Sequence, residues 1–285
     1  MCGADPRVVL GLHRSRHERR VLTGALDLGV TALDTSTNYL GFRSHQVLGR
    51  TAGDLLPKFT ISTKVGYFPG PDGAEHSLDP VRLHTAVEQA VEDLGQQLDV
   101  VFVHNPEHSL RNAAPYNQHL LAAACTALGE AAAQGLCTAW GVASWDPSLL
   151  PSLIDATVPR PSVLMVRAGL LVGAGTLEAV DALVRAWGLG CGEVWGMSPF
   201  GGSTSAPVWD RIDPRVFLRE GRRFSRVQAA FRVASHLPRA GSIVVGTDER
   251  AHLGELVDAL TGQVEERTVQ EYRRLLRDRS RDQFA

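Results

Sequence analysis

Four side chains could handle protons together: Asp34, Tyr39, Lys64 and His104. A tyrosine hydroxyl titrates near about 10 when unperturbed, so alone it is a poor acid or base at neutral pH. A nearby ammonium favours the phenolate and lowers that value, and Lys64 could supply it. A carboxylate beside the lysine, Asp34, would keep it charged in a half-buried site. A neutral imidazole, His104, could donate a hydrogen bond to a carbonyl oxygen and stabilise the negative charge that develops there. A positioned proton donor of this kind contributes roughly 10²–10⁴ in rate. Taken singly, each residue has a structural use: Asp34 as a turn cap, Tyr39 as loop packing, His104 as a satisfied core histidine. Lys64 is different, because a lysine closing an apolar strand is costly unless paired.

The elements that must position them are short apolar runs alternating with helical patterns. Eight runs are read as strands: Val8–Leu12, Thr31–Asp34, Phe59–Thr63, Val100–His104, Ala139–Ala143, Val163–Arg167, Val194–Met197 and Ser242–Val245. Their near-continuous hydrophobicity is that of parallel strands buried on both faces. Helices are expected over His17–Leu28, Pro80–Leu94 (after an Asp79 N-cap), Pro115–Gln134 (stopped by Gly135), from Asp146-Pro147, and over Thr176–Trp187, Pro214–Leu237, Glu249–Leu260 and Val264–Arg279. Gly66–Ser77 is expected to be a loop. A doubly wound nucleotide-binding sheet should show G-x-G-x-x-G after its first strand, and Gly11-Leu12-His13-Arg14 is not that motif. The pattern therefore predicts one α/β (β/α)8 TIM barrel over residues 1–285. Its active site would lie at the C-terminal strand ends, where Asp34, Lys64 and His104 fall.

Bulk properties narrow the function classes. The chain has 285 residues, enough for one such barrel of roughly 250 residues. Its net charge of −2 gives no field favouring nucleic acid or an anionic membrane. No apolar run approaches the ~20 residues of a membrane span, and the start does not have the pattern of a secretory signal. Cys2, Cys125, Cys137 and Cys191 show neither C-x-x-C nor zinc spacing. Free thiols, no bound metal and a cytoplasmic location are the expectation.

The segments carrying these residues resemble the aldo-keto reductase superfamily. ALDLGVTALDTSTNYLGFRSHQVLGR is similar to its A-L-x-x-G-V-x-x-x-D-T-A-x-x-Y-G-x-S-E-x-x-L-G. ISTKVG resembles the segment with the family's lysine, and LDVVFVHNPE that with its histidine. GLCTAWGVASWDPSLL, VWGMSPFGGS and IVVGTDERAHLGEL resemble later segments, so the likeness covers nearly the whole chain. It implies a barrel that binds NAD(P)(H) without a Rossmann motif and interconverts carbonyls and alcohols. Tyr39 would be the proton donor, Lys64 its modulator, Asp34 the partner of Lys64, and His104 the residue that orients the carbonyl. Loosely similar aldose-dehydrogenase-like members would run the reaction toward oxidation.

The same resemblance assigns cofactor contacts to Ser144, Ser198, Phe200, Gly201, Gly246, Thr247, Arg250 and Glu255, with NADP(H) favoured over NAD(H). It also shows departures. The usual Asn after Ser144 is Trp145, the family's Gln on the sixth strand falls at Met165, and its ring-stacking Tyr falls at Ala168. Cations that hold a 2′-phosphate fall at Gly246 and His252, an Asn falls at Leu256, and His45 replaces a Glu. These imply an altered or weakened cofactor pocket. A small-molecule substrate would meet Phe68, Trp145 and Trp209. Two other readings stay open: a tetrad used for non-redox elimination or isomerisation, and a non-catalytic binding barrel.

Overall fold

Alternation along each strand decides which side chains face the barrel axis and which face the helices. On the first strand Val9 points inward while Val8 and Leu10 point outward. The inward set, Val9, Ala32, Val100, Phe102, Ala143, Val163, Met165, Trp195 and Val244, fills the interior as one packed cluster. The outward set includes Leu10, Leu33, Ile61, Val101, Val142, Leu164 and Ile243, and joins the helices in the main core. Both faces are thus apolar, which is why the strands read as continuous runs.

The computed structural model describes residues 6–282. In chain order the elements are β1 (Arg7–Gly11), α1 (Arg19–Asp27), β2 (Ala32–Asp34), α2 (Ser44–Ala52), β3 (Thr60–Val65), β4 (Tyr67–Gly70), β5 (Gly73–His76), α3 (Pro80–Leu94), β6 (Leu98–His104), α4 (Glu107–Leu110), α5 (Asn117–Ala133), β7 (Cys137–Ser144), β8 (Val163–Arg167), α6 (Ala174–Trp187), β9 (Val194–Met197), α7 (Arg226–Ala234), β10 (Ser242–Val245), α8 (Arg250–Ala259) and α9 (Glu266–Asp282). Eight parallel strands close in the order β1-β10-β9-β8-β7-β6-β3-β2. The fold is therefore a (β/α)8 TIM barrel.

Several expectations need correction. The third strand runs to Val65, so Lys64 lies within it. Gly66–Ser77 is not a plain loop: β4 and β5 pair antiparallel across it, and its Pro and Gly content masks the alternation. Helix α2 has no apolar stripe to mark it, because its buried face includes Ser44 and His45 beside Leu48 and Ala52. The stretch after Asp146 is a 3₁₀ run, Pro147–Leu153, whose Pro151 lacks the amide hydrogen an α-helix needs. Pro214–Leu237 is broken into two 3₁₀ turns and α7, which starts at a Ser225 cap closed reciprocally by Gln228. The turn between them needs a glycine, since a Cβ on Gly221 would fall 2.0 Å from the Arg215 carbonyl oxygen. Free thiols hold for Cys125 and Cys137, whereas Cys191 is disulfide-bonded. Cys2 lies outside the described residues.

Behind β2 and β3 lies a buried polar seam. His17 Nδ1–H donates to the Ser15 carbonyl (3.1 Å), leaving Nε2 to accept from Ser44 Oγ at 2.6 Å. His45 Nε2 meets Thr63 Oγ1 at 2.8 Å. Burial first, then the His17 and Lys64 charges, lower the His45 pKa to about 4. The unfolded chain therefore binds a proton here near pH 6.5, while the folded protein does so only near about 4. Stability contributed by neutral His45 is intact above pH 6.5 and falls as the pH drops through that window, by ~3 kcal/mol in all. Urea unfolding at pH 7 and pH 4 should show this loss, and His45→Gln should reduce it.

Candidate active site

Inward alternation carries the floor of the site. Asp34, Lys64 and His104 occupy inward positions at the C-terminal ends of β2, β3 and β6, one layer above Ala32, Ser62 and Phe102. Tyr39 hangs from the loop after β2. That loop turns sharply: Leu40, Gly41 and Phe42 all have positive φ (51°, 61° and 64°). Two of the three are not glycine, so the backbone is strained where it presents Tyr39.

Lys64 is 2% exposed, and its three ammonium hydrogens are all engaged. They reach Asp34 Oδ2 at 2.5 Å, the Thr35 carbonyl at 2.8 Å and Tyr39 Oη at 3.2 Å. The other Asp34 oxygen accepts from Ser62 Oγ at 2.9 Å. Burial opposes the lysine charge, yet Asp34 and Tyr39 outweigh it and raise the pKa. Tyr39 departs from the expectation of a lowered value. Burial dominates the pull of Lys64, so the phenol titrates above its ordinary range and is a protonated donor at neutral pH. His104 is held well below the imidazole range by burial and then by the Lys64 charge, so its ring is neutral. Its Nδ1 lies 3.1 Å from Ser36 Oγ.

These four line one cavity of about 620 Å³, together with Trp145, Ser198, Gly246 and Thr247 from the sequence-derived set. The structure does not bring the other nominated residues into that lining. Ser144 is outward relative to Ala143, and its hydroxyl donates to buried Glu107 Oε2 at 3.0 Å. Phe200 packs against Trp209 (ring centres 6.4 Å apart), whose indole N–H is tied to the Ser203 carbonyl at 3.1 Å. Gly201 turns against Leu171. Phe68 lies under the Arg82 guanidinium, 4.1 Å from its ring centre. Arg250 faces Asp27 at 3.7 Å, and Glu255 is exposed on α8. Ala168 is buried in the wall against Gly196; the aliphatic side chains at the cavity are Met197 and Val244. Met165 fills the barrel interior below, and Leu256 is in the core.

Other lining residues escaped the sequence reading. His13, Arg14 and Ser15 follow the first strand, and their place at a strand end is the signal that marks them as candidates. Asn38 and Asp248 each stand beside a nominated residue. Tyr67 arrives on the unforeseen hairpin and packs its ring 4.9 Å from His104. His76, on the same hairpin, donates Nε2–H to the His104 carbonyl at 2.7 Å and so ties the hairpin to the floor. Among the described residues, Arg14 and Lys64 are the lysine and arginine cations of the lining, and since Lys64 is saturated, Arg14 is the one open to an anionic ligand. One Asp248 oxygen is buried without a hydrogen-bond partner.

Glu107 explains how the β7 end is held. It is 1% exposed and accepts from Ser144 Oγ and from the Trp145 and Asp146 amides, the latter two at 2.8 Å. Glu107→Ala would strand the Ser144 hydroxyl and the Asp146 amide, each costing about 1–3 kcal/mol when buried and unpaired, while the Trp145 amide keeps Asn105 Oδ1 at 3.1 Å. A loss of roughly 3 kcal/mol in chemical denaturation is expected, and Glu107→Gln should lose less.

A closed parallel barrel thus brings a saturated lysine, a protonated tyrosine and a neutral histidine to the lining of one cavity. Residues 13–185 match the Aldo/keto reductase family, more than half of the chain, and the protein belongs to that family. It is thereby an oxidoreductase. Solved structures share the fold. An aldo-keto reductase from Bacillus halodurans in its holo form superposes with a TM-score of 0.70 at 16% identity, over 95% of this chain and 91% of that one. An aldo-keto reductase from Klebsiella pneumoniae in complex with NADPH gives 0.67 at 17%, over 95% and 91%. A thermostable aldo-keto reductase bound to the inhibitor epalrestat gives 0.68 at 21%, over 95% and 94%. No curated protein matches the chain in sequence. Among the described residues, no helix is long and apolar enough to cross a membrane, and no group of three or more His, Cys, Asp or Glu could hold a metal.

Proposed function

We propose that the protein is an NADP(H)-dependent oxidoreductase that interconverts a carbonyl and an alcohol on a small polar molecule, such as a sugar or an intermediate of specialised metabolism. The observation that carries this reading is the Lys64 ammonium, shared between Asp34, Thr35 and Tyr39 at the floor of the cavity. Tyr39 gives its phenolic proton to the carbonyl oxygen in reduction and takes it back in oxidation. Lys64 stabilises the phenolate left behind, and Asp34 keeps Lys64 charged and aimed. Burial of Asp34, Lys64 and His104 strengthens each of these interactions by excluding water.

The residues present fit a nicotinamide dinucleotide. Arg14 offers a cation, Ser198 and Thr247 offer hydroxyls, and Gly246 lets the loop after β10 pass close to β1, since a Cβ there would sit 3.1 Å from the Gly11 carbonyl oxygen. The bound cofactor would supply or accept the hydride. NADP(H) is chosen over NAD(H) because Arg14 suits an added phosphate and the Klebsiella pneumoniae fold relative was solved with NADPH. Purified protein mixed with NADPH and a panel of small aldehydes, ketones and aldoses should consume NADPH and yield the matching alcohol. No consumption with any carbonyl, and no reduction of NADP⁺ with the alcohols, would contradict the reading.

A further inference from the structure

Ser36 has one proton and three neighbours. Its Oγ lies 2.7 Å from Asn38 Oδ1, 3.1 Å from His104 Nδ1 and 3.3 Å from the Lys64 carbonyl oxygen. It is fully buried, so these are its choices. The amide oxygen and the backbone oxygen have no proton to give. His104 is neutral and carries one ring proton. The shortest contact, to Asn38 Oδ1, takes the serine proton. His104 is then the partner that donates to Ser36 Oγ, and the chain runs from Nδ1–H through the serine hydroxyl to Asn38.

We infer that Ser36, backed by Asn38, is a positioning residue that places the proton of resting His104 on Nδ1, so that Nε2 presents a lone pair to the cavity and receives a hydroxyl of the ligand. Nε2 has no protein partner among the described residues, and His104 lines the cavity, so this nitrogen is the one left for a ligand. Asn38 lines the same cavity. The family pattern quoted above has alanine where this chain has Ser36, so the relay belongs to this chain's own residues. An Nε2 lone pair cannot donate to a carbonyl. In this site proton donation to the carbonyl rests on Tyr39 alone, and His104 instead selects a substrate with a hydroxyl beside the reacting carbon. This second half rests on the proposed function; the tautomer does not.

The tautomer is read without substrate or cofactor. Protein labelled with ¹⁵N-histidine is examined by long-range ¹H–¹⁵N correlation at pH 7.5, with His104 among the ten histidines assigned by its loss in His104→Asn. Wild type should carry the His104 proton on Nδ1. Ser36→Ala removes the acceptor, and the proton should move to Nε2, where cavity water can accept; Ser36→Thr should keep the wild-type pattern. A wild-type proton on Nε2, or an unchanged pattern in Ser36→Ala, overturns the assignment. For the substrate half, kcat/KM for glycolaldehyde should exceed that for acetaldehyde by about tenfold or more in wild type, and the ratio should fall toward one in Ser36→Ala. A ratio of one in both overturns that half. Failure of the proposed function shows differently, as no turnover of either aldehyde with the tautomer still readable.

Discussion

Tyr39→Phe is expected to lower kcat for carbonyl reduction by roughly 10²–10⁴ while leaving NADPH affinity within about twofold of wild type. The substitution removes one oxygen, the atom 3.2 Å from Lys64 Nζ. The ring would keep its edge contacts with His13 and His104, so the cavity keeps its shape. Steady-state kinetics beside a cofactor titration separates the two effects, and a mutant with full turnover would remove Tyr39 from the mechanism. The pH dependence carries the same signature. Burial raises the Tyr39 pKa above its ordinary value, so the donor form persists through neutral and mildly alkaline pH. Reduction should be flat there and fall only when the phenol ionises. Alcohol oxidation needs the phenolate and should rise with pH over the same range.

The second large effect is structural as well as chemical. Lys64→Met leaves the Asp34 carboxylate buried with Ser62 as its side-chain partner. Removing one member of a buried ion pair costs about 3–5 kcal/mol, because the other charge is left uncompensated. Thermal or urea unfolding should show that loss, together with the fall in turnover that follows when no cation stabilises the phenolate. Asp34→Asn combined with Lys64→Met removes the orphaned charge and should recover most of the stability and none of the activity. Recovery of both would make the pair a structural feature only.

The barrel is legible in the sequence because burial on both faces turns each strand into an apolar run, and because Asp79-Pro80 and Gly135 mark helix ends that capping chemistry and backbone freedom dictate. The failures have physical causes. A β-hairpin over 67–76 hides behind Pro69, Gly70, Pro71 and Gly73, and α2 hides behind a buried Ser44 and His45 that spoil its apolar stripe. At the site, Asp34, Lys64 and His104 were readable as polar residues ending apolar strands. Ser144 has the same appearance and a different fate. One residue of alternation, fixed by the inward Ala143, points it at Glu107 instead of the cavity. That parity depends on where the strand pairs with its neighbours, which spacing alone does not carry. Arg14, Asn38 and Tyr67 converge from three separate segments, and only the closed barrel brings them together.

Ser144 engaged by Glu107, and Met165 packed inside the barrel, make cofactor binding the point on which the account stands most exposed. Titration of the wild-type protein with NADPH and, in parallel, NADH, followed by the fluorescence of the bound nicotinamide, tests it directly. The account predicts saturable NADPH binding with Kd on the order of micromolar, within the usual range for enzyme ligands, and weaker binding of NADH. No saturable binding of either nucleotide up to about 1 mM, the upper end of that range, would contradict it.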